Sequence, residues 1–193
     1  MTEQFENGIT GRIIQDDDPQ NPLEDYSGDA NVFVAISIPR YFEWPPKNNR
    51  AGGVAECRAL LAGEDSASRH GWHVFPLFAY VHSGIAFSLG REYPFNCQWD
   101  SGVAGCIALN PADWAKREDA ERYAACMVNT LNQYCSGDVW GYEIQDRHGE
   151  CLDSCWGFFG QEYALEEMRS AARYWTAKQP EVDREEFYRV VGA

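Results

Sequence analysis

The sequence predicts an α+β fold, a largely antiparallel sheet with two main helices packed on one face. Three observations carry this. Short apolar runs of strand length recur along the first hundred or so residues, punctuated by Gly, Pro, Asn and Asp. Two pairs of such runs are close enough to be hairpins. Helical periodicity of any length is confined to the second half of the chain.

In chain order, Gly11–Asp16 (GRIIQD) reads as a short strand, followed by the polar loop DDDPQNPLEDYSGD. Val32–Ile38 (VFVAISI), rich in Val and Ile, reads as a buried strand. Pro39, Pro45, Pro46, Asn48, Asn49, Gly52 and Gly53 make a loop, and a short helix follows over about Val54–Ala62 with Leu60 and Leu61 inward. Val74–Val81 and Ile85–Ser88 form a hairpin about His82, Ser83 and Gly84. Gly84 is expected at positive φ there, and Pro76 marks an edge or a bulge. Val103–Leu109 (VAGCIAL) is the next buried strand.

Asn110 as cap, Pro111 at the first helical position and Asp113 near the dipole's positive end predict the start of the first main helix. Its apolar positions, Ala120, Ala124, Met127 or Val128, Leu131 and Cys135, run to a stop at Gly137. Val139–Asp146 and Cys151–Phe159 flank RHGE as a second hairpin. The second main helix spans about Gln161–Lys178, with Leu165, Met168, Ala172 and Trp175 on one face, and Pro180 is expected to end it. No repeat or long linker is visible. The expectation is one domain over residues 1–193, with 1–10 and 184–193 as mobile tails.

The chain has 193 residues, with 16 Lys and Arg against 30 Asp and Glu, a formal charge of −14. The excess is spread: −5 over residues 1–50, −2 over 51–110 and −7 over 111–193. This balance opposes direct binding to a nucleic-acid backbone or an anionic membrane and suits a basic protein partner. Aromatic residues are plentiful as stacking platforms, but no basic stripe accompanies them. MTEQFENG lacks the basic and apolar regions of a secretory signal, so a cytoplasmic location is expected. The seven cysteines are then expected mostly as buried thiols, with no disulfide framework.

Several chemistries can be weighed on residue spacing. His70, His73 and His82 with Cys151 and Cys155 do not reproduce paired zinc-ligand spacing, so no metal or other cofactor is expected. Cys151 and Cys155 share a strand face and are expected to fill the core. A nucleophile with His82 or His148 and a carboxylate such as Asp100 or Asp153 is conceivable, but no G-x-S-x-G, Walker or G-x-G-x-x-G signature is present. Asp16, Asp17 and Asp18, followed by Glu24 and Asp25, sit in a solvated loop. Carboxylates so spaced can imitate phosphates and occupy an Arg- and Lys-rich groove, although an ordinary solvated loop has the same composition.

Four motifs stand out: Tyr80–Ile85 (YVHSGI), Trp99–Gly102 (WDSG), Tyr134–Tyr142 (YCSGDVWGY) and Asp153–Gly160 (DSCWGFFG), preceded by Asp17–Pro22 (DDPQNP). Together, across about residues 14–160, they resemble a family of proteins encoded by phages, plasmids and other mobile elements. The chain departs from that family's pattern at Leu23–Asn31 (LEDYSGDAN), where a tryptophan is usual. The resemblance implies no reaction and no catalytic residue. It implies a context in which small acidic proteins act against host defence. The expected function is therefore an interaction protein that inhibits a host nucleic-acid-targeting complex, anti-CRISPR or anti-restriction, by phosphate mimicry. Its expected partner is a host protein or nucleoprotein complex with a basic surface, met by Asp16, Asp17, Asp18, Glu24, Asp25, Asp100 and Asp138. Alternatives are a small hydrolase with His82, Asp100 and Cys155 in one pocket, and an accessory of phage or plasmid replication.

Overall fold

Continuous apolar strands need cover on both faces, and in this protein they have it. The computed structural model describes residues 1–45, 50–64, 69–90, 97 and 99–191. Among these it contains β1 (Thr2–Gln4), β2 (Thr10–Gln15), β3 (Val32–Ile38), β4 (Phe42–Trp44), α1 (Arg50–Leu61), β5 (His73–Val81), β6 (Ile85–Leu89), β7 (Ser101–Leu109), α2 (Arg117–Ser136), β8 (Val139–Gln145), β9 (Cys151–Phe159) and α3 (Gln161–Val191). The fold is α+β, and every strand pairing is antiparallel. The strands form two sheets rather than one, and the chain divides into two compact units, Asn21–Ser136 and Met1–Gln20 with Gly137–Ala193.

The unit Asn21–Ser136 holds the five-stranded sheet, in the order β4-β3-β7-β5-β6. Side chains alternate across a strand, so β3 serves two cores. Val32, Val34 and Ile36 pack with Phe75, Leu77, Ile107 and Leu109 against Ala120, Ala124, Met127, Val128 and Leu131 of α2. On the opposite face Ala35, Cys106 and Ala108 meet Cys57 and Leu60 of α1. This sheet therefore has a helix on each face, and the two main helices expected on one face of a single sheet are divided, α2 lying on this sheet and α3 on the four-stranded one. The α2 positions recur at the 3.6-residue period, and each large apolar side chain buried there contributes roughly 1.5–3 kcal/mol.

A register shift between Leu77 and Phe78 leaves Ala104 of β7 without a partner on β5. Pro76 lies next to this bulge, on a strand flanked by β7 and β6 rather than at the sheet's edge. The first main helix starts later than expected. Asn110 caps a turn, accepting from the Ala112 amide at 3.0 Å, and its carbonyl takes the amides of Asp113 and Trp114. The α-helix begins at Arg117 and ends where expected, before Gly137 at φ +74°. The loop expected about Pro46, Asn48 and Asn49 and most of that after Leu89 lie outside the described residues.

The other unit is a four-stranded sheet, β1-β2-β8-β9, with α3 on one face. Ala164, Met168 and Ala172, each fully buried, lie on one stripe of α3 and pack on Ile9, Ile13, Tyr142 and Ile144. Gly11 admits this approach, because a Cβ there would stand 2.1 Å from the Met168 sulfur. The N-terminal residues, expected as a tail, are docked: β1 pairs with β2, and Ile9 is fully buried.

Helix α3 does not end at Pro180 but runs to Val191. A proline removes the hydrogen bond to the carbonyl four residues earlier, here that of Thr176. That oxygen accepts instead from the side-chain amide of Asn7, at 3.0 Å.

Two cysteines, Cys57 and Cys106, are buried, while Cys126, Cys151 and Cys155 are exposed. The expectation of mostly buried thiols, with Cys151 and Cys155 in the core, is thus corrected. The reason lies in β9, an edge strand with two register irregularities and a largely exposed run from Ser154 to Gly157.

Candidate functional site

The sequence motifs YVHSGI and WDSG, separated by thirteen residues, come together at one end of the five-stranded sheet. The β5–β6 hairpin turns through His82, Ser83 and Gly84, with the His82 amide donating to the Gly84 carbonyl at 3.1 Å. Gly84 lies outside the left-handed region, so the turn does not draw on the conformational freedom expected of it. Beside the hairpin, the Val81 amide donates to the Asp100 carbonyl at 2.7 Å, which fixes the start of β7 against the end of β5.

Two chemically active side chains meet one carboxylate there. His82 Nδ1 stands 3.6 Å from Asp100 Oδ2, and the Cys97 thiol donates to the same oxygen at 3.4 Å. Ser101 Oγ donates to the Cys97 carbonyl, holding that loop to the strand. The His82 ring stacks at 6.1 Å on Tyr80. The His82 side chain is 69% exposed and that of Asp100 40%. The cluster is thus a surface feature, open to solvent screening.

Trp99, just before β7, is 87% exposed, an unusual position for the residue with the largest apolar surface. Trp99, Asp100, Ser101 and Val103 line a cleft of about 230 Å³ with Ser37 and Pro39 from the end of β3. A second cavity, of about 450 Å³, shares Ser37, Pro39, Val103 and Ala104 and extends to Cys57, Arg58 and Leu61 of α1. An exposed indole beside a carboxylate can take a cation on its face while the acid neutralises it.

The arrangement is less suited to nucleophilic catalysis. In a working Cys–His–Asp array the imidazole lies between thiol and acid. Here the carboxylate lies between, accepting from the thiol and facing the imidazole. Cys155, which the sequence reading placed with His82 and Asp100, is on β9 in the other unit, and the thiol that joins them is Cys97.

The remaining expected contact residues are divided between the units. Asp16, Asp17 and Asp18 belong with the four-stranded sheet, where Asp16 Oδ1 accepts the Asp18 amide at 3.1 Å. Asp17 and Asp18 are exposed. Glu24 and Asp25 are exposed on a 3-10 turn, Pro22–Tyr26, in the other unit, capped by Asn21, whose side chain accepts the Leu23 amide. Below them the Tyr26 hydroxyl is pushed well above its ordinary range by burial and by its hydrogen bond with Tyr123.

Asp138 has work inside the fold. Its Oδ1 accepts from the Trp140 indole at 2.6 Å and from the Gln161 amide at 3.2 Å, so it seals the N-terminus of α3. His73 Nε2 lies 2.9 Å from the Trp114 carbonyl, a part-buried contact. Among the described residues, no group of three or more His, Cys, Asp or Glu is placed to hold a metal ion, and no helix is long and apolar enough to cross a membrane.

Comparison with protein-family models, with curated proteins and with solved structures finds no match to this chain. The functional reading therefore rests on the residues themselves.

Proposed function

We propose that this chain is an interaction protein of a mobile element, which binds a basic host protein or nucleoprotein complex and inhibits nucleic-acid-targeting defence of the CRISPR or restriction type. The observation that carries the binding role is Trp99, 87% exposed beside Asp100 at the mouth of a cleft. Tryptophan at the centre of an interface is the commonest kind of energetic anchor, and an exposed one costs solubility unless a partner uses it. The formal charge of −14 favours a partner with Arg and Lys at its surface, whose side chains fit the indole–carboxylate pair. The exposed acids Asp17, Asp18, Glu24 and Asp25 add long-range attraction and speed encounter. The mobile-element context comes from the YVHSGI, WDSG and DSCWGFFG motifs, and the target class follows from that context and from the charge.

The test is recovery of partners from nuclease-treated host lysate on the tagged chain at low and moderate salt. The expected result is a CRISPR or restriction subunit in near-stoichiometric yield, reduced at moderate salt and lost with Trp99→Ala. A partner held equally by wild type, Trp99→Ala and Asp100→Asn, with no dependence on salt, would refute the reading.

A hydrolase is the second reading, favoured by the 3.6 Å approach of His82 Nδ1 to Asp100 Oδ2. It requires turnover by substoichiometric protein that His82→Ala abolishes while the fold is kept.

A further inference from the structure

The α1 face of the five-stranded sheet is built of small residues, and they let the helix settle close. A Cβ on Gly53 would stand 3.9 Å from the Ala35 Cβ, with Pro45 nearer still, so α1 crosses β3 at Ala35 with its glycine towards the strand. Ala35 is paired with Cys106 across the β3–β7 ladder. One helical turn beyond Gly53, on the same face, is Cys57. The register of the sheet and the period of the helix therefore set Cys57 above Cys106. Both cysteines belong to one small buried cluster, closed by Leu60 and Ala108.

This is not an ordinary way to bury cysteine. Buried thiols usually sit among carbon, whereas two of the five buried residues of this cluster are cysteines, both as free thiols. Cys57 also lines the cavity of about 450 Å³, alongside the guanidinium-bearing Arg58, so a small polar oxidant has a route to its sulfur. Cys106, with no exposed surface, has none. One sulfur is thus placed to be attacked from the cavity and the other to resolve it.

We propose that Cys57 and Cys106 are a reversible dithiol–disulfide pair that locks α1 onto the central strand β7 when the protein meets a peroxide. In the first step Cys57, as thiolate, attacks one oxygen of hydrogen peroxide. The O–O bond breaks, the sulfur becomes a sulfenic acid, and the departing hydroxide takes a proton to become water. In the second step Cys106 attacks the sulfenic sulfur. The S–S bond forms as the S–O bond breaks, and the Cys106 proton leaves with the oxygen as a second water. Two thiols are oxidised by two electrons and one peroxide is reduced to two waters. A low-molecular-weight thiol reverses the process by exchange.

The electrostatics agree with this division of labour. Its neighbour Cys106, aided by Arg58, holds the Cys57 thiol below its ordinary range against the effect of burial. The Cys106 thiol is pushed far above its own by the neighbouring Cys57 and by burial, as befits a group that gives up its proton only as the bond forms.

The test uses the wild-type full chain, treated with hydrogen peroxide, quenched by alkylation after unfolding and mapped without reduction. The expected product is a Cys57 peptide linked to a Cys106 peptide, lighter by two hydrogens than the separate pair and lost on treatment with dithiothreitol. Recovery of both as free thiols, under conditions that oxidise the exposed Cys126, overturns the proposal, as does linkage of Cys57 to any other cysteine. In Cys106→Ser, whose small polar side chain retains the packing, Cys57 is expected to accumulate as a sulfenic acid that dimedone labels. Absence of that label overturns its role as the attacking thiol.

Discussion

The side-chain amide of Asn7 donates to the main-chain carbonyl of Thr176 at 3.0 Å, at the helix position that Pro180 leaves without its usual donor. Asn7 reaches it from φ +60°, in the left-handed region, which asparagine tolerates better than most residues. A single polar side chain from the N-terminal turn thus lets α3 continue through a proline.

Removing that donor should loosen the helix. Asn7→Ala loses the hydrogen bond and adds backbone strain, and should cost about 1–2 kcal/mol in urea unfolding. Asn7→Gly isolates the hydrogen bond, since glycine adopts positive φ freely. Pro180→Ala restores an amide at the right place, so Asn7→Gly should cost less in that background. Equal costs in both backgrounds would show that the two residues are not coupled.

Gly105 and Gly102 are three residues apart on β7 and should respond oppositely to alanine. A Cβ on Gly105 would stand 1.8 Å from the Ala35 carbonyl oxygen, a backbone atom that cannot swing aside. Gly105→Ala should therefore separate β3 from β7 and cost more than about 3 kcal/mol. Gly102→Ala meets nothing within 4 Å and should fall within roughly 0.5 kcal/mol of wild type. Thermal unfolding of the two variants, side by side, checks the geometry of the ladder.

Glu3 ties β1 to α3 through a hydrogen-bonded ion pair with Arg169, Nε to Oε2 at 2.9 Å. The Arg169 hydrogen bond holds the Glu3 carboxyl below its ordinary value of 4.5. A group depressed on folding stabilises the native state above its unfolded pKa, and that stabilisation is lost as pH falls through the folded value. The protection of the β1 amides, measured against their intrinsic exchange rates, should accordingly fall as the solution is taken below about pH 4.5. Glu3→Gln should exchange faster at neutral pH and show a flatter response to acid; an unchanged profile would mean the pair contributes nothing.

Asp138→Ala removes the acceptor shared by the Trp140 indole and the Gln161 amide. The loss of a helix cap is worth roughly 1 kcal/mol, and the freed indole adds to it. The expected readouts are a lower urea midpoint and altered tryptophan fluorescence. Trp99→Ala, by contrast, should leave the midpoint unchanged, because its side chain is exposed.

Much of the local structure was legible in the chain. The run Val32–Ile38, the two hairpins, the buried stripe of α2 and the stop at Gly137 are written in residue type and period, because they depend on neighbours a few positions away. Of the candidate site, His82 and Asp100 could be named, since each sits in a compact motif. Cys97 could not be told from any other thiol, for its significance is the carboxylate it meets.

What the sequence by itself determined was the α+β class, most of the elements, and a strongly acidic charge. The tertiary structure decided the rest. Alternation along β3 and β7 is satisfied equally by one covered face or two, and only packing placed α1 and α2 on opposite sides of that sheet. Helix propensity alone stops α3 at Pro180, and only the arrival of Asn7, 169 residues away in sequence, carries it on. Cys57 meets Cys106 for the same reason: contacts between distant segments are set by the register of the ladder and the closeness of the helix, which no local pattern encodes.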